Sequence, residues 1–276
     1  MTRLRSWPLV AFLVLLGTAL MAIGCGDDNN DSTSSGNLNT IAQGKLRVGS
    51  DIPYKPFEFG QAPNYQGFDV DVVNAIAKRL DLQAQFVKTP FDTIFRNLAQ
   101  GKFDMVASAA TITAERKKEV DFSDSYFPAD QSLMVKKGSD IKTVDDVAGK
   151  VVGAQLGTTG ADYAKKNTKA SSVRTYDLID DAFNALEAGQ VVAVINDCPV
   201  SKYAERAHKN LAVVQAISTN EEYGFAFKKG SDDLRAAVNK ELAKLKDDGD
   251  LEKISTKWFQ GQPCTLSGGG STSASP

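Results

Sequence analysis

The sequence predicts an α/β fold of open, mostly parallel sheets covered by helices. Three observations lead there. Short β-like runs alternate with helical apolar patterns from Lys45 to Phe259. Several of the helical patterns end at a glycine, as at Gly101, Gly189 and Gly249, which suits a helix stop. The segments flanking this region are either uniformly apolar or almost wholly polar, and neither kind joins an amphipathic core.

Taken in order, Lys45 to Ser50 is a short strand-like run. Phe68, Val72, Val73, Ile76, Ala77 and Leu80 recur at helical spacing. Ala84 to Val87 is strand-like, Phe91 to Gln100 helical, and Phe103 to Ser108 a buried strand. Thr113 suits the N-cap of the next helix, and Glu115 its first turn. Ser132 to Lys136 is a strand. Thr143 and Asp146 have the spacing of a capping box. Lys150 to Gln155 is a strand, and Gly157 to Gly160 turns into a helix. Val173 to Tyr176 is a strand, Leu178 to Ala188 a helix, and Val191 to Ile195 a strand. Pro199 fits the first position of the following helix. Tyr223 to Lys228 is a strand, and helices cover Ser231 to Asp248 and Leu251 to Phe259, with Trp258 in the core.

The ends differ from the middle. Arg3 and Arg5 precede an apolar run, Leu9 to Ile23, followed by Gly24-Cys25. That order reads as a secretory signal, residues 1–25, and the run is short for a membrane span. Ala22-Ile23-Gly24-Cys25 resembles the bacterial lipobox, which implies a lipid such as palmitate on Cys25. Residues 26–40 contain one apolar side chain of any size, Leu38, and read as a flexible tether. Residues 265–276 read as a disordered tail, so the folded part is about 41–264. With Cys25 lipidated, Cys198 and Cys264 remain of three cysteines. In an oxidising compartment an even remainder suggests a disulfide, the alternative being two unrelated thiols.

The net charge of -2 argues against a nucleic-acid partner, which needs a basic stripe. Catalytic signals are thin. His208 is the one histidine, in a polar run that reads as surface. No cysteine–histidine cluster has zinc spacing, and no metal or cofactor is expected. Asp69, Asp71, Asp121 and Asp124 read as solvated caps and turns. Gly153 to Gly160 lacks the ending of a phosphate-binding loop.

In open α/β sheets, ligands sit beyond the carboxyl ends of the strands. That rule selects Asp51 to Tyr54, Ser108 to Thr111, Gln155 to Thr159 and Asn196-Asp197. Arg116 offers a planar two-pronged donor for a carboxylate. Thr111, Thr158 and amides at helix starts can add donors to the same anion. Asp197 can accept from an ammonium, and Tyr54 and Phe91 can flank a side chain. Carboxylate, ammonium and side chain are the parts of a free α-amino acid. Each group also has a plain structural role open to it, as cap, turn or core.

At these residues the chain resembles the bacterial extracellular solute-binding proteins of the polar amino acid type. The resemblance spans Leu46 to Phe259. It rests on Pro56-Phe57-Glu58-Phe59, Gly67-Phe68-Asp69-Val70-Asp71, Thr111-Ile112-Thr113 with Glu115-Arg116, Asp121-Phe122-Ser123, Gly157-Thr158-Thr159, Asn196-Asp197 and Lys257-Trp258-Phe259. It implies a two-lobed type II periplasmic-binding-protein-like fold. Lobe 1 is expected at 41–127 and 222–264, lobe 2 at 130–218, with crossings near Tyr126–Asp130 and Thr219–Tyr223.

By the same resemblance, Arg116 binds the ligand carboxylate with Thr111 and with Thr158 or Thr159. Asp197 binds the α-ammonium, helped by the Ala109 backbone. Asp51, Tyr54 and Phe91 form the side-chain pocket. Gln155 and Asn196 stand where a glutamine binder can have lysine and histidine. Gln155 belongs to the ligand-binding set, Glu58 and Asn196 are the specificity candidates, and together they tilt the ligand toward arginine or glutamine. The implied protein is a monomeric binding component of an ABC importer, not an enzyme. It meets a free amino acid and a membrane permease, and touches the membrane only through its lipid, at the outer face of the cytoplasmic membrane or in the periplasm. The competing readings are a cyclohexadienyl or prephenate dehydratase-like enzyme on the same fold, and a soluble sensor domain.

Overall fold

The computed structural model describes residues 38–260 and 264. The proposed leader with Cys25, the tether up to residue 37 and the tail 265–276 lie outside the described residues.

The first half runs β1 (Lys45–Ser50), β2 (Phe59–Gln61), β3 (Asn64–Gln66), α1 (Phe68–Arg79), β4 (Gln83–Lys88), α2 (Phe91–Ala99), β5 (Met105–Val106), α3 (Arg116–Glu119) and β6 (Val120–Phe122). Then come β7 (Phe127–Lys136), β8 (Val151–Gln155), α4 (Thr159–Asn167), β9 (Ser172–Tyr176), α5 (Ile179–Ala188), β10 (Ala193–Asp197), α6 (Cys198–Ala204) and β11 (Leu211–Tyr223). The chain closes with β12 (Ala226–Lys228), α7 (Asp232–Asp247) and α8 (Asp250–Phe259).

Two five-stranded sheets result, ordered β4-β1-β5-β12-β6 and β11-β7-β10-β8-β9. In each, three strands run parallel, joined through helices. The antiparallel pairings come from the strands that leave or re-enter a lobe. The fold is two-lobed, and the chain passes between sheets twice: after β6 into β7, and from β11 into β12.

Those crossings are themselves paired. Phe127 faces Tyr223 and Ala129 faces Glu221 across an antiparallel ladder. An aromatic cluster sits beside them. The Phe57 ring lies 5.3 Å from Tyr223 and 5.2 Å from Phe127, and Phe259 lies 4.9 Å from Phe127. These rings bury a large apolar surface where the two lobes join.

Local sequence explains the helix ends that matter. α1 starts after Gly67, whose φ of 139° and 2.1 Å approach of a Cβ to the Phe57 carbonyl leave room only for glycine. Thr143 and Asp146 make the expected capping box on a 3₁₀ turn. α4 is capped by Thr158, whose hydroxyl accepts from the Ala161 amide at 3.1 Å. Pro199 stands second in α6, one place after the expected first position, because Cys198 already begins the helix.

Some expectations are corrected. The run from Phe103 to Ser108 is buried, but only Met105–Val106 pair as a strand. Trp258 is half-buried at the edge of the core, against Phe59, and donates to Asp71 at 2.7 Å. His208 lies beyond α6 and is no free surface group: it packs on Phe183 and sits 3.2 Å from Glu187. Asp69 is fully buried rather than solvated, accepting from the Tyr126 hydroxyl and the Ala109 amide. Asp71 and Asp121 are half-buried acceptors from Lys257 and Lys229. A buried carboxylate needs such donors, and caps on open turns do not. Cys198 and Cys264 form a disulfide, with their Cα atoms 5.5 Å apart.

Candidate ligand-binding site

Between the two sheets lies a narrow, nearly filled cleft. One wall carries Tyr54, Phe91, Ser108, Ala109, Thr111 and Arg116. The facing wall carries Gln155, Thr158, Thr159 and Asp197. The first set follows β1, β4 and β5, and the second follows or ends β8 and β10.

Arg116 opens α3, where Thr113 accepts its amide hydrogen at 3.1 Å. Its guanidinium reaches back to the Thr111 carbonyl at 2.7 Å and across the cleft to the Gly157 carbonyl at 3.2 Å. It lies 5.1 Å from the Phe91 ring centre and 4.8 Å from that of Phe95. A guanidinium has five N–H donors, so this arrangement leaves several for a ligand anion. Burial lowers its pKa, opposed by the charges of Asp197 and Glu221.

Asp197 ends β10 and is buried. It accepts from Tyr54 at 2.6 Å, Tyr223 at 2.5 Å and Gln131 at 2.5 Å. Burial, with the charge of Glu221, raises its pKa to about 6 against those three donors. All three donors are neutral side chains, and no salt bridge to Asp197 occurs among the described residues.

Asp51 stands behind the cavity wall rather than on it. It accepts from Gln155 across the cleft at 2.6 Å. Burial raises its pKa to about 7; the Gln155 bond and Lys88 lower it, while Asp92 and Asp177 add to the rise. Glu58 lies deeper still and accepts from the Ser108 hydroxyl at 2.7 Å. Its other oxygen has no hydrogen-bond partner among the described residues. Burial and the neighbouring Asp69 push its pKa well above the carboxylate range. The Asn196 amide oxygen lies 3.1 Å from the Tyr54 hydroxyl, whose one hydrogen goes to Asp197, so Asn196 too sits behind the aromatic wall.

Thr158 spends its hydroxyl on local structure, donating to the Gln155 carbonyl at 2.8 Å and capping α4. Its contribution to an anion is therefore the positive end of that helix. Ala109 takes a left-handed φ of 44°, held by the Asp69 carboxylate through its amide.

The strand-end rule gathers Ser108, which lines the cleft, but sequence reasoning overlooked Gln131, Tyr223 and Glu221 as partners of Asp197 and the threonines. Tyr223 read as a strand start. Its hydroxyl on Asp197 follows only once β11 crosses between the lobes.

This chain matches the family model of bacterial extracellular solute-binding proteins, family 3, over residues 46–261. The protein belongs to that family. Its relatives include the L-cystine-binding protein TcyJ of Escherichia coli, 34% identical over 89% of this chain and 94% of that one. The arginine-binding extracellular protein ArtP of Bacillus subtilis is 33% identical over 94% of this chain and 100% of that one. Among solved structures, an ancestral arginine-binding protein bound to arginine is 40% identical with a TM-score of 0.75, covering 79% of this chain and 99% of that one. These family members are named as binding proteins, not enzymes. No group of three metal-ligating side chains occurs among the described residues, nor a helix long and apolar enough to cross a membrane.

Proposed function

We propose that this protein captures a free polar or basic L-amino acid, arginine or glutamine foremost, between its lobes and delivers it to an ABC-type permease. The observation that carries the reading is the pairing of a cation and an anion in one buried cavity. Arg116 and Asp197 come from opposite lobes, and their spacing lets each feel the other's charge. They match the carboxylate and ammonium of a zwitterion. The names of the relatives, an arginine binder and a cystine binder among them, support an amino acid as cargo.

The side-chain end favours a donor-rich ligand. Asp92 and Asp177 gather there with Asp51, facing Lys88. A guanidinium offsets that excess, and an amide can donate into it. Lobe 1 is taken as 41–127 with 222–264 and lobe 2 as 130–218, rotating about the two crossings on closure. The protein acts as a monomer, exported by residues 1–25 and held at the membrane by lipid on Cys25.

A thermal-shift screen of free amino acids tests this directly, because a ligand that binds only the native state raises the melting temperature. Arginine or glutamine is expected to raise it, with Arg116→Ala and Asp197→Ala abolishing calorimetric binding while circular dichroism stays native. Near-unchanged affinity in both variants overturns the site.

A further inference from the structure

Glu221 lies at the second crossing, in a strand that is bulged just before it. The pairing of β11 with β7 shifts register between Ile217 and Glu221, and Asn220 takes a φ of 51°. Asp130 fixes this bend by accepting the amide hydrogens of Thr219 at 2.9 Å and Asn220 at 3.1 Å. A bulge of this kind re-aims the side chain that follows it.

The re-aimed Glu221 carboxylate meets both lobes through one oxygen. Oε2 lies 2.9 Å from the Thr111 hydroxyl and 2.6 Å from that of Thr159. Gln131 points its amide at the same oxygen at 3.4 Å and at Asp197 at 2.5 Å. Thr111 and Thr159 both line the cavity, from opposite walls.

A hydroxyl carries one hydrogen, and an ionised carboxylate only accepts. Both threonine hydrogens therefore point at Glu221; the Thr159 oxygen also lies 3.4 Å from the Gln131 amide and 3.4 Å from the Thr111 hydroxyl, and the remaining lone pairs are left for the cavity. Lone pairs accept from an ammonium and repel a carboxylate. We infer that Glu221 is a positioning residue: it sets Thr111 and Thr159 as acceptors for the ligand ammonium beside Asp197. The ligand carboxylate is left to Arg116 and the start of α4. This reverses the sequence-based role of the threonine hydroxyls, and it rests on the amino acid reading above.

The test is a double-mutant cycle on the full chain, with arginine as the probe and calorimetry as the readout. Glu221→Ala frees both hydroxyls and is expected to weaken binding about tenfold. Glu221→Gln keeps one accepting oxygen and recovers part of that loss. In a Thr159→Val background, Glu221→Ala is expected to cost only about threefold, because one of its two targets is gone. A merely structural role gives the same factor in both backgrounds. That result, or Glu221→Ala binding as tightly as the parent, overturns the inference while leaving the amino acid reading intact. A parent protein that binds no amino acid overturns both.

Discussion

Tyr54 donates its hydroxyl hydrogen to Asp197 across the cleft, at 2.6 Å. One residue follows β1 in the first lobe, and the other ends β10 in the second. The bond spans the cleft, so under the proposed lobe closure it is both a wall of the cavity and a fastening of the closed form. Gln155 on Asp51 and Arg116 on the Gly157 carbonyl are further fastenings of this kind.

Removing the Tyr54 hydroxyl therefore weakens the closed state and keeps the ring. Tyr54→Phe is expected to lower ligand affinity about tenfold or more, the scale of a hydrogen bond to a charged group. Calorimetry checks it. An unchanged dissociation constant means the hydroxyl bond contributes nothing to closure.

Acidity acts in opposite directions on stability and on ligand binding. Burial pushes Asp51 and Asp197 from an ordinary value of 3.8 up to about 7 and about 6. The folded form thus binds protons more tightly. The stability these two groups confer is full below 3.8 and lost as pH rises through 6 to 7. Cation binding needs both carboxylates ionised. Arginine affinity is accordingly expected to fall as pH drops from 8 to 5, by up to about tenfold per unit for each carboxyl. Glutamine, whose side chain is neutral, is expected to show the shallower slope. Titrations across that range decide it; a flat arginine profile contradicts the assignment of Asp51 and Asp197 to ligand cations.

Gly157 marks a close approach of the lobes. It takes a φ of 79°, and a Cβ there lies 2.9 Å from the Asp92 Cα on the opposite wall. Gly157→Ala is expected to hold the cleft ajar. Affinity drops about tenfold or more, from a left-handed penalty of about 1–2 kcal/mol plus the clash. Small-angle scattering gives the independent check: the contraction on adding ligand should shrink in the variant.

Lys55 and Asp180 also pair between the lobes, at 3.1 Å, but both are well exposed, at 43% and 35%. Solvent screens such a pair, which is worth about 0–1 kcal/mol. Lys55→Ala is expected to change affinity by less than about fivefold, and a larger loss locates a closure contact that distance and exposure do not reveal.

Much of the fold was legible because its signals are local. The spacing of Phe68, Val72, Val73 and Ile76 and the stop at Gly189 need only a few residues of context, and α1 and α5 follow. The hairpin of β2 and β3 was missed, since three-residue strands show no period. β11 was missed because it is held by pairing with β7, remote in the chain, along a strand that spans both lobes. The same reason hid Glu221. Its bulge depends on Asp130, ninety residues away in the chain. Residues at strand ends, such as Tyr54, Thr111 and Gln155, could be gathered by topology alone. How far each lies from the cavity could not. Asp51 is screened by Gln155, and Glu58 is shielded by Ser108.

The Cys198–Cys264 bridge makes the two crossings unequal. Cys198 opens α6 in the second lobe, while Cys264 follows α8, which packs on α1 and α7 of the first. A protease cut within 219–223 parts the two cysteines, yet the sulfur bond keeps the pieces in one covalent molecule. A cut within 126–130 leaves both cysteines on the same fragment, and the severed amino-terminal piece is held by packing alone.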